Sequence, residues 1–348
     1  MTIKSWLGSA ALALLAGTFA ASANAQQIAI GHLQDLSGGT SDVGTPYGQG
    51  VVDTFAWVNK NGGIGGKQLA VDSNDYGYQV PRAIALYKKW SAPDNKVAAI
   101  MGWGTADTEA LTGFLANDKI PDMSGSYAAA LTDPEGTSGK AKPAPYNFFY
   151  GPSYSDALRA ELTWAAEDWK AKGKPGKPKF VHMGANHPYP NAPKAAGDAA
   201  DGVIFPLRTS VGWGGDAPGM KTVQEIAKMS DPTGKVYRPV HYVAAVCSSL
   251  YMKEAIEWAV KNGGPTGENV AKGFHQKKDW VPAGMEGVCS PSTWTEKDHR
   301  GTMKVDLYRA RVTGPTDGDL NDLMAKGVIK LEKVKTIELP RKAEWAGW

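Results

Sequence analysis

Cysteine is almost absent from this sequence: its 348 residues include only two, Cys247 and Cys289. Two cysteines cannot form the disulfide framework of a small secreted domain, and without histidines nearby they do not form a metal site. In an oxidising compartment the two residues either pair or remain buried free thiols. Their spacing does not decide between these alternatives.

A basic excess is also lacking. The formal net charge is +3, and no run of basic residues interleaved with aromatic residues occurs. This composition argues against a nucleic-acid partner. The histidines lack metal-ligand spacing, so we expect neither a metal nor a cofactor; they are His32, His182, His187, His241, His275 and His299.

The common sequence motifs of enzymes are missing too. No G-x-S-x-G nucleophile elbow occurs, and the turn Gly102–Asp107 lacks the third glycine of a dinucleotide fingerprint. The glycine cluster Asn61–Lys67 does not fit a phosphate-binding loop, because it follows a predicted helix and is wrongly spaced. These absences predict a protein that is not an enzyme.

The N-terminal segment has the features of a secretory signal peptide, Met1–Ala25. Lys4 supplies the positive charge, Trp6–Phe19 is apolar, and Ala23-Asn24-Ala25 is an A-x-A cleavage site. The apolar part is shorter than the roughly 20 residues that a membrane span needs. We therefore expect export to the periplasm as a soluble protein.

The length predicts two lobes, since 348 residues exceed one ordinary core. Up to Tyr150, apolar strands alternate with amphipathic helices, which predicts a parallel doubly wound sheet. We expect an α/β fold of two such lobes joined by a hinge. The predicted segments are 26–150 for the first lobe, 151–235 for a shortened second lobe, and 236–348 for helices and strands returning toward the first lobe and the hinge. The predicted strands include Gln27–Leu33, Leu69–Asp72, Val97–Met101, Ile120–Ser124, Tyr146–Tyr150, Phe180–Met183, Val203–Leu207, Thr302–Val312 and Val328–Glu332.

The stretch Lys96–Thr132 carries the best candidate site. A buried strand leads into Gly102-Trp103-Gly104, and Thr105 then stands where a helix N-cap is expected. The next strand ends in Gly125-Ser126-Tyr127. Two neighbouring strand ends thus present hydroxyls and free backbone N–H groups, which suits a small anion such as a carboxylate.

Several segments resemble the Leu/Ile/Val-binding (type I periplasmic) family of ABC-transporter substrate-binding proteins. IGHLQDLSGGTSDVGTPYGQG resembles its opening strand and first helix, and WVNKNGGIGGKQLAVDSND its glycine turn. AIMGWGTADTEAL and IPDMSGSYAAALTDP resemble its two ligand-contacting turns. ANHPYPNAP and TEKDHRGTMKVDLYRA resemble the second-lobe loop and the returning strand.

The resemblance implies a ligand site shared by the two lobes. It implies that the Thr105 hydroxyl and the backbone of Gly104–Ala106 bind a carboxylate, and that Tyr47 caps the pocket. The other implied contacts are Ser126, Tyr127 and Ala128 from the second turn, and Tyr189 with Asn186 from the second lobe.

Two features depart from the family pattern. Bulky side chains stand in the turns, and a pocket lined by Trp103, Tyr127 and Tyr150 would stack on a planar ligand. Between Tyr189 and Ala200, roughly two β/α units of the family pattern are absent. No residue replaces the second-lobe acid that pairs the ligand ammonium in amino-acid-binding members.

The predicted function is a periplasmic solute-binding protein of an ABC importer, which closes by a hinge over its ligand. The expected ligand is a small carboxylate-bearing solute: a branched-chain, hydrophobic or aromatic amino acid or a related compound. The expected partner is an inner-membrane permease, and the protein is expected to be a monomer. An exported sensory ligand-binding protein on the same fold and a secreted α/β hydrolase are the alternatives.

Overall fold

The computed structural model describes residues 27–179 and 191–348. The predicted signal peptide Met1–Ala25, the predicted strand Phe180–Met183 and the predicted contacts Asn186 and Tyr189 lie outside the described residues.

The first lobe is built on a five-stranded sheet with the order β2-β1-β3-β4-β5, and all of its pairings are parallel. The inner strands β1 and β3 are mostly apolar and buried, which is typical of a sheet covered on both faces. The parallel doubly wound sheet predicted for this half of the chain is therefore confirmed. Its elements are β1 (Ile28–Gln34), α1 (Ser41–Lys60), β2 (Leu69–Asp75), α2 (Val80–Ser91), β3 (Ala99–Met101), α3 (Thr105–Asp118), β4 (Asp122–Ser124) and β5 (Asn147–Phe149).

Helix α1 begins earlier than the sequence pattern indicates. The sequence pattern predicts a loop over Gln34–Pro46, which is rich in glycine, serine, threonine and aspartate, and a helix from Tyr47 onward. The backbone N–H groups of Val43 and Gly44 instead donate to the Thr40 carbonyl, at 3.1 and 2.8 Å. Pro46 lies in the second turn of the helix, where it has no N–H to donate to the carbonyl of Asp42.

The second lobe contains a three-stranded antiparallel sheet with the order β6-β7-β8. This differs from the second parallel sheet expected from the sequence. The long strands β7 and β8 pair directly with each other, and one face of β8 is largely exposed, which is typical of antiparallel sheets. The elements of the rest of the chain are α4 (Tyr154–Ala171), α5 (Asn191–Ala196), β6 (Ile204–Pro206), α6 (Met220–Ala227), α7 (Val240–Lys261), α8 (Gly267–Phe274), β7 (Lys304–Val312), α9 (Leu320–Ala325) and β8 (Ile329–Glu338).

The predicted segments differ from the packing in two places. Helix α6 was predicted to belong to the second lobe, yet it packs against α1 of the first lobe, whereas α7 packs against α1 as predicted for the segment 236–348. Met220, Val223 and Ile226 form one apolar face of α6, and this face joins the main core. Strands β7 and β8 complete the second sheet and do not return to the first lobe.

The chain leaves the first lobe through a short break after β5. Gly151 has a φ of +100°, a conformation that side chains disfavour. Ser153 then caps α4, its hydroxyl oxygen accepting from the Asp156 N–H at 3.0 Å. Helix α4 packs against all three strands of the second sheet.

A disulfide joins Cys247 of α7 to Cys289, which precedes β7, with an S–S distance of 2.08 Å. The alternative that the sequence left open is thereby decided in favour of pairing. Both half-cystines are buried. Within the described residues, no helix is long and apolar enough to span a membrane.

Candidate functional site

A cavity of about 120 Å³ lies where the carboxyl ends of β3 and β4 meet the residues that follow β6. The carboxyl ends of parallel strands are the usual ligand position in open α/β sheets. Hydroxyls, aromatic rings and one guanidinium line it. The lining residues are Thr40, Val43, Tyr78, Trp103, Gly104, Thr105, Gly125, Ser126, Tyr127, Tyr154, Arg208 and His241.

Sheet register brings the two predicted turns together. The Gly125 N–H donates to the Gly102 carbonyl at 3.1 Å, which joins the strand ends. The hydroxyls of Thr105 and Ser126 consequently lie 2.8 Å apart in a hydrogen bond. The two hydroxyls that the sequence singled out therefore share one cavity wall.

The helix boundary at this wall lies one residue earlier than expected. Gly104 is the N-cap of α3, and Thr105 is its first helical residue. The Asp107 carboxylate accepts from the Gly104 N–H at 3.3 Å and from the Tyr76 hydroxyl at 2.7 Å. Burial raises the pKa of Asp107 to about 6. Gly104 replaces the predicted Thr105 cap because the nearby carboxylate of Asp107 satisfies its N–H.

Trp103 and Tyr127 both line the cavity, as the sequence predicted. The Trp103 indole N–H donates to the Thr40 hydroxyl at 3.0 Å. The Tyr127 ring lies edge-on to Tyr154, with centroids 5.9 Å apart. These contacts fix the two rings before any ligand arrives.

Arg208 is the cation of the cavity, and sequence reasoning missed it. Its side chain is buried, with the guanidinium carbon 4.0 Å from the Tyr127 ring centroid and 4.7 Å from that of Tyr154. Its Nη1 donates to the Pro152 carbonyl at 3.3 Å. The usable signal was its position directly after the predicted strand Val203–Leu207, at a carboxyl end.

Two titratable groups lie within electrostatic reach of Arg208. Burial raises the pKa of Glu161 to about 7, and the positive charge of Arg208 opposes this rise. Burial lowers the pKa of His241 to about 3, and Arg208 lowers it further. At neutral pH His241 is therefore uncharged, and Arg208 is the fixed positive charge at the cavity wall.

Acidic side chains are absent from the lining: none of the described residues around the cavity is aspartate or glutamate. An ammonium group would find no carboxylate partner there. The part of the chain that the structure describes also contains no group of three histidine, cysteine or acidic residues that could hold a metal ion.

Tyr78 lines the cavity from the loop after β2, and no sequence motif singles it out. Its φ is +56°, and that of the preceding Gly77 is +60°. Positive φ is uncommon for residues other than glycine. Burial raises the pKa of Tyr78, and hydrogen bonds from the backbone N–H groups of Thr105 and Ala106 oppose the rise. The phenol oxygen is thus placed at the start of α3.

Two of the predicted aromatic contacts, Tyr47 and Tyr150, do not line this cavity. Tyr47 is fully buried with its ring centroid 5.0 Å from that of Trp103, so it supports the indole from behind and does not cap the pocket. Tyr150 is also fully buried, and its hydroxyl accepts from the Ser290 N–H at 2.8 Å. Both side chains point into the main core, where their rings bury more apolar surface than a cleft would.

Two predicted small residues do not line the cavity either. Ala106 is exposed on the first turn of α3, and Ala128 lies in an apolar cluster with Phe149. The Ala128 N–H donates to the Ser126 hydroxyl at 3.3 Å. These residues belong to the two turns but do not line the cavity themselves.

Comparisons with known proteins agree on one family. Residues 27–200 match a family model described as periplasmic binding protein. The comparison with curated proteins gives no match. An ABC-transporter substrate-binding protein of Aeropyrum pernix has a similar structure, with TM-score 0.70 and 19% identity over 92% of this chain and 98% of that one.

Two further solved structures are similar in fold. A branched-chain amino acid ABC transporter protein of Thermus thermophilus, solved with bound valine, gives TM-score 0.67 and 18% identity over 87% of this chain and 99% of that one. A fatty acid ABC transporter substrate-binding protein of Thermomonospora curvata gives TM-score 0.66 and 16% identity over 90% of this chain and 92% of that one.

Proposed function

Because this chain belongs to the periplasmic binding protein family, in its Leu/Ile/Val-binding (type I) branch, we propose that it captures a small carboxylate-bearing solute for an ABC importer. The solute binds in the cavity between the two lobes and is not chemically converted. The protein works in the periplasm after removal of Met1–Ala25, and an inner-membrane permease receives the solute from the monomer.

The observation that carries this proposal is Arg208 beside the two hydroxyls. A guanidinium is always charged and matches a carboxylate with two parallel N–H donors. The hydroxyls of Thr105 and Ser126 line the same cavity and can rotate to donate to the second carboxylate oxygen. One lobe thus supplies neutral donors and the other supplies the charge.

The size of the cavity and its lack of acids narrow the solute class. A cavity of about 150 Å³ accommodates benzene, so the 120 Å³ here suits a solute of similar or smaller size. The aromatic walls favour an apolar or planar body. Since the described lining offers no partner for an ammonium, we propose a carboxylate without an α-amino group as the preferred ligand.

The ligands of two similar proteins support a carboxylate as the bound group. Valine, bound in the Thermus thermophilus protein, and the fatty acids named for the Thermomonospora curvata protein both carry this group. They differ in the amino group, which is where we propose that this chain discriminates.

The proposed mechanism is hinge closure. The solute first contacts Thr105 and Ser126 on the first lobe, and Arg208 then approaches with the second lobe. Because the solute contacts both lobes only when they are closed, it stabilises the closed state by its differential affinity. We propose that the permease recognises this closed state.

Isothermal titration calorimetry with matched ligands tests the function. The panel pairs valine with 3-methylbutanoate and phenylalanine with 3-phenylpropanoate, and adds benzoate and neutral benzamide. We expect at least one of these carboxylates to bind more tightly than its partner in the panel, which is the amino acid for 3-methylbutanoate and 3-phenylpropanoate and the amide for benzoate. If no carboxylate produces heat or raises the melting temperature, the proposed function is wrong.

The double variant Thr105→Ala with Ser126→Ala tests the location of the site. Each hydroxyl donates to an ionised acceptor, so each hydrogen bond contributes about 1.5–3 kcal/mol, and the loss of both weakens binding by at least about 150-fold. Thr163→Ala, at a hydroxyl that donates to the Arg159 carbonyl on α4, is the control and leaves the affinity unchanged. Unchanged affinity in the double variant would show that the site is misplaced.

A further inference from the structure

Tyr78 occupies a part of the cleft that a ligand would otherwise fill. The ring lies so close to Gly104 that a Cβ on this glycine would stand 2.1 Å from the Tyr78 Cε2 and 2.8 Å from its Cζ. The same ring is part of the cavity lining. Gly104 and Tyr78 are therefore fitted to each other, and the space above the glycine belongs to the ring.

The hydroxyl of Tyr78 lies at the start of α3. The backbone N–H groups of Thr105 and Ala106 lower its pKa, against the rise that burial causes. The first N–H groups of a helix lack partners within the helix and attract electron-rich oxygens. The phenol oxygen therefore competes with a ligand carboxylate for these groups, and Arg208 is the charged anion partner in the described lining.

The backbone of the loop holds the ring in place. Tyr78 follows Gly77, and both residues have positive φ. The loop is anchored on the other side by the Gly77 N–H, which donates to the Asp75 carboxylate at 3.0 Å. An unfavourable conformation at a bulky residue persists where the surroundings determine it.

We propose that Tyr78 determines the specificity of the cleft, because its phenol ring fills the space above Gly104 and admits only solutes small enough to bind between the ring and Arg208. This role rests on the proposed function, since it sets which carboxylates the cleft accepts. It makes the ring, and not its hydroxyl, the determinant of ligand size.

A size series of carboxylates tests the role by calorimetry. The series runs from acetate through 3-methylbutanoate and benzoate to 3-phenylpropanoate and 4-phenylbutanoate. We expect Tyr78→Ala to bind the largest members at least about tenfold more tightly than the native protein does, because the cleft gains the volume of a ring. Tyr78→Phe keeps the ring, so we expect it to retain the native order of preference.

Phenol provides a measurement that needs no carboxylate. Free phenol can enter the space left by the side chain, so it raises the melting temperature of Tyr78→Ala but not of the native protein or of Tyr78→Phe. Tyr146→Ala is the matched control. It removes a half-buried tyrosine at the amino end of β5, whereas the cavity lies at the carboxyl ends of the strands, so we expect phenol not to raise its melting temperature. Circular dichroism establishes that each variant is folded.

The outcomes separate the two proposals. If the native protein binds a carboxylate, but Tyr78→Ala keeps the native size preference and gains nothing from phenol, the specificity role is wrong and the function stands. If Tyr78→Phe changes the size preference as much as Tyr78→Ala does, the ring is not the determinant. If neither the native protein nor any variant binds a carboxylate, the proposed function is wrong, and so is the specificity role that rests on it.

Discussion

Replacing Arg208 by glutamine removes the positive charge of the cleft with little change in reach. One charge-assisted hydrogen bond to a carboxylate contributes about 1.5–3 kcal/mol, so Arg208→Gln weakens carboxylate binding by about 10- to 150-fold. The lower end applies if the amide keeps one neutral hydrogen bond to the ligand. The upper end applies if the bidentate contact is lost completely.

The same substitution perturbs the surrounding structure in a defined way. The guanidinium packs on Tyr127 and Tyr154 and donates to the Pro152 carbonyl at 3.3 Å. Its charge also opposes the rise in the pKa of Glu161, which is already about 7. Without this charge Glu161 is held more firmly in its neutral form, so the variant does not leave a buried carboxylate ionised at pH 7.

The assay compares a carboxylate with its own amide, benzoate with benzamide, by calorimetry at pH 7.5 for native, Arg208→Gln and Arg208→Lys protein. We expect the glutamine variant to lose affinity for benzoate only. The lysine variant keeps the charge but not the planar pair of donors, so its affinity for benzoate lies between those of the native protein and the glutamine variant. Equal losses for benzoate and benzamide would show a merely structural role, and a loss of less than threefold for benzoate would refute the assignment.

Three further predictions concern stability. Replacing both Cys247 and Cys289 by alanine lowers the free energy of unfolding by about 4 kcal/mol in urea titrations, because the bond closes a loop of 42 residues in the unfolded chain. A loss below about 1 kcal/mol contradicts this. The pKa of Glu161 is raised to about 7 in the folded protein, so folding takes up a proton and stability falls as pH rises from about 4.5 to 7. Glu161→Gln removes this part of the pH dependence, up to about 3 kcal/mol, and identical pH profiles for variant and native protein would contradict the shift. Gly104→Ala destabilises by about 1–3 kcal/mol, because its Cβ would stand 2.1 Å from the tyrosine ring that lies on it. Gly113 lies in the same helix, and a Cβ there meets nothing within 4 Å, so Gly113→Ala raises the free energy of unfolding by about 0.5–1 kcal/mol. Equal melting temperatures for the two variants would argue against the close contact at Gly104.

Much of the first lobe was predictable from local patterns. Apolar strands and the glycine turns after them are short-range signals, and parallel strand ends necessarily meet at one sheet edge. Thr105 and Ser126 were therefore expected near each other, and their hydroxyls are 2.8 Å apart. The family resemblance rested on the same segments and is confirmed by the match over residues 27–200.

Side-chain direction was the part that local patterns did not give. Tyr47 matches the family pattern and Tyr150 ends a predicted strand, yet both rings turn into the core, away from the cavity. Arg208 and Tyr78 carry no motif, and they reach the cavity because β6 and the loop after β2 end beside it. The antiparallel pairing in the second lobe was missed for a similar reason, since strand direction depends on partners distant in the sequence.

The sequence alone determined the alternating order of the first lobe, its two hydroxyl-bearing turns and the family to which the chain belongs. These features follow from residue spacing within a few turns of chain, which the sequence records directly. The tertiary structure alone decided that Cys247 and Cys289 pair, that Arg208 supplies the charge of the cleft, and that a tyrosine ring fills the space above Gly104. Each of these brings together residues far apart in the chain, and only the packed fold specifies which distant residues meet.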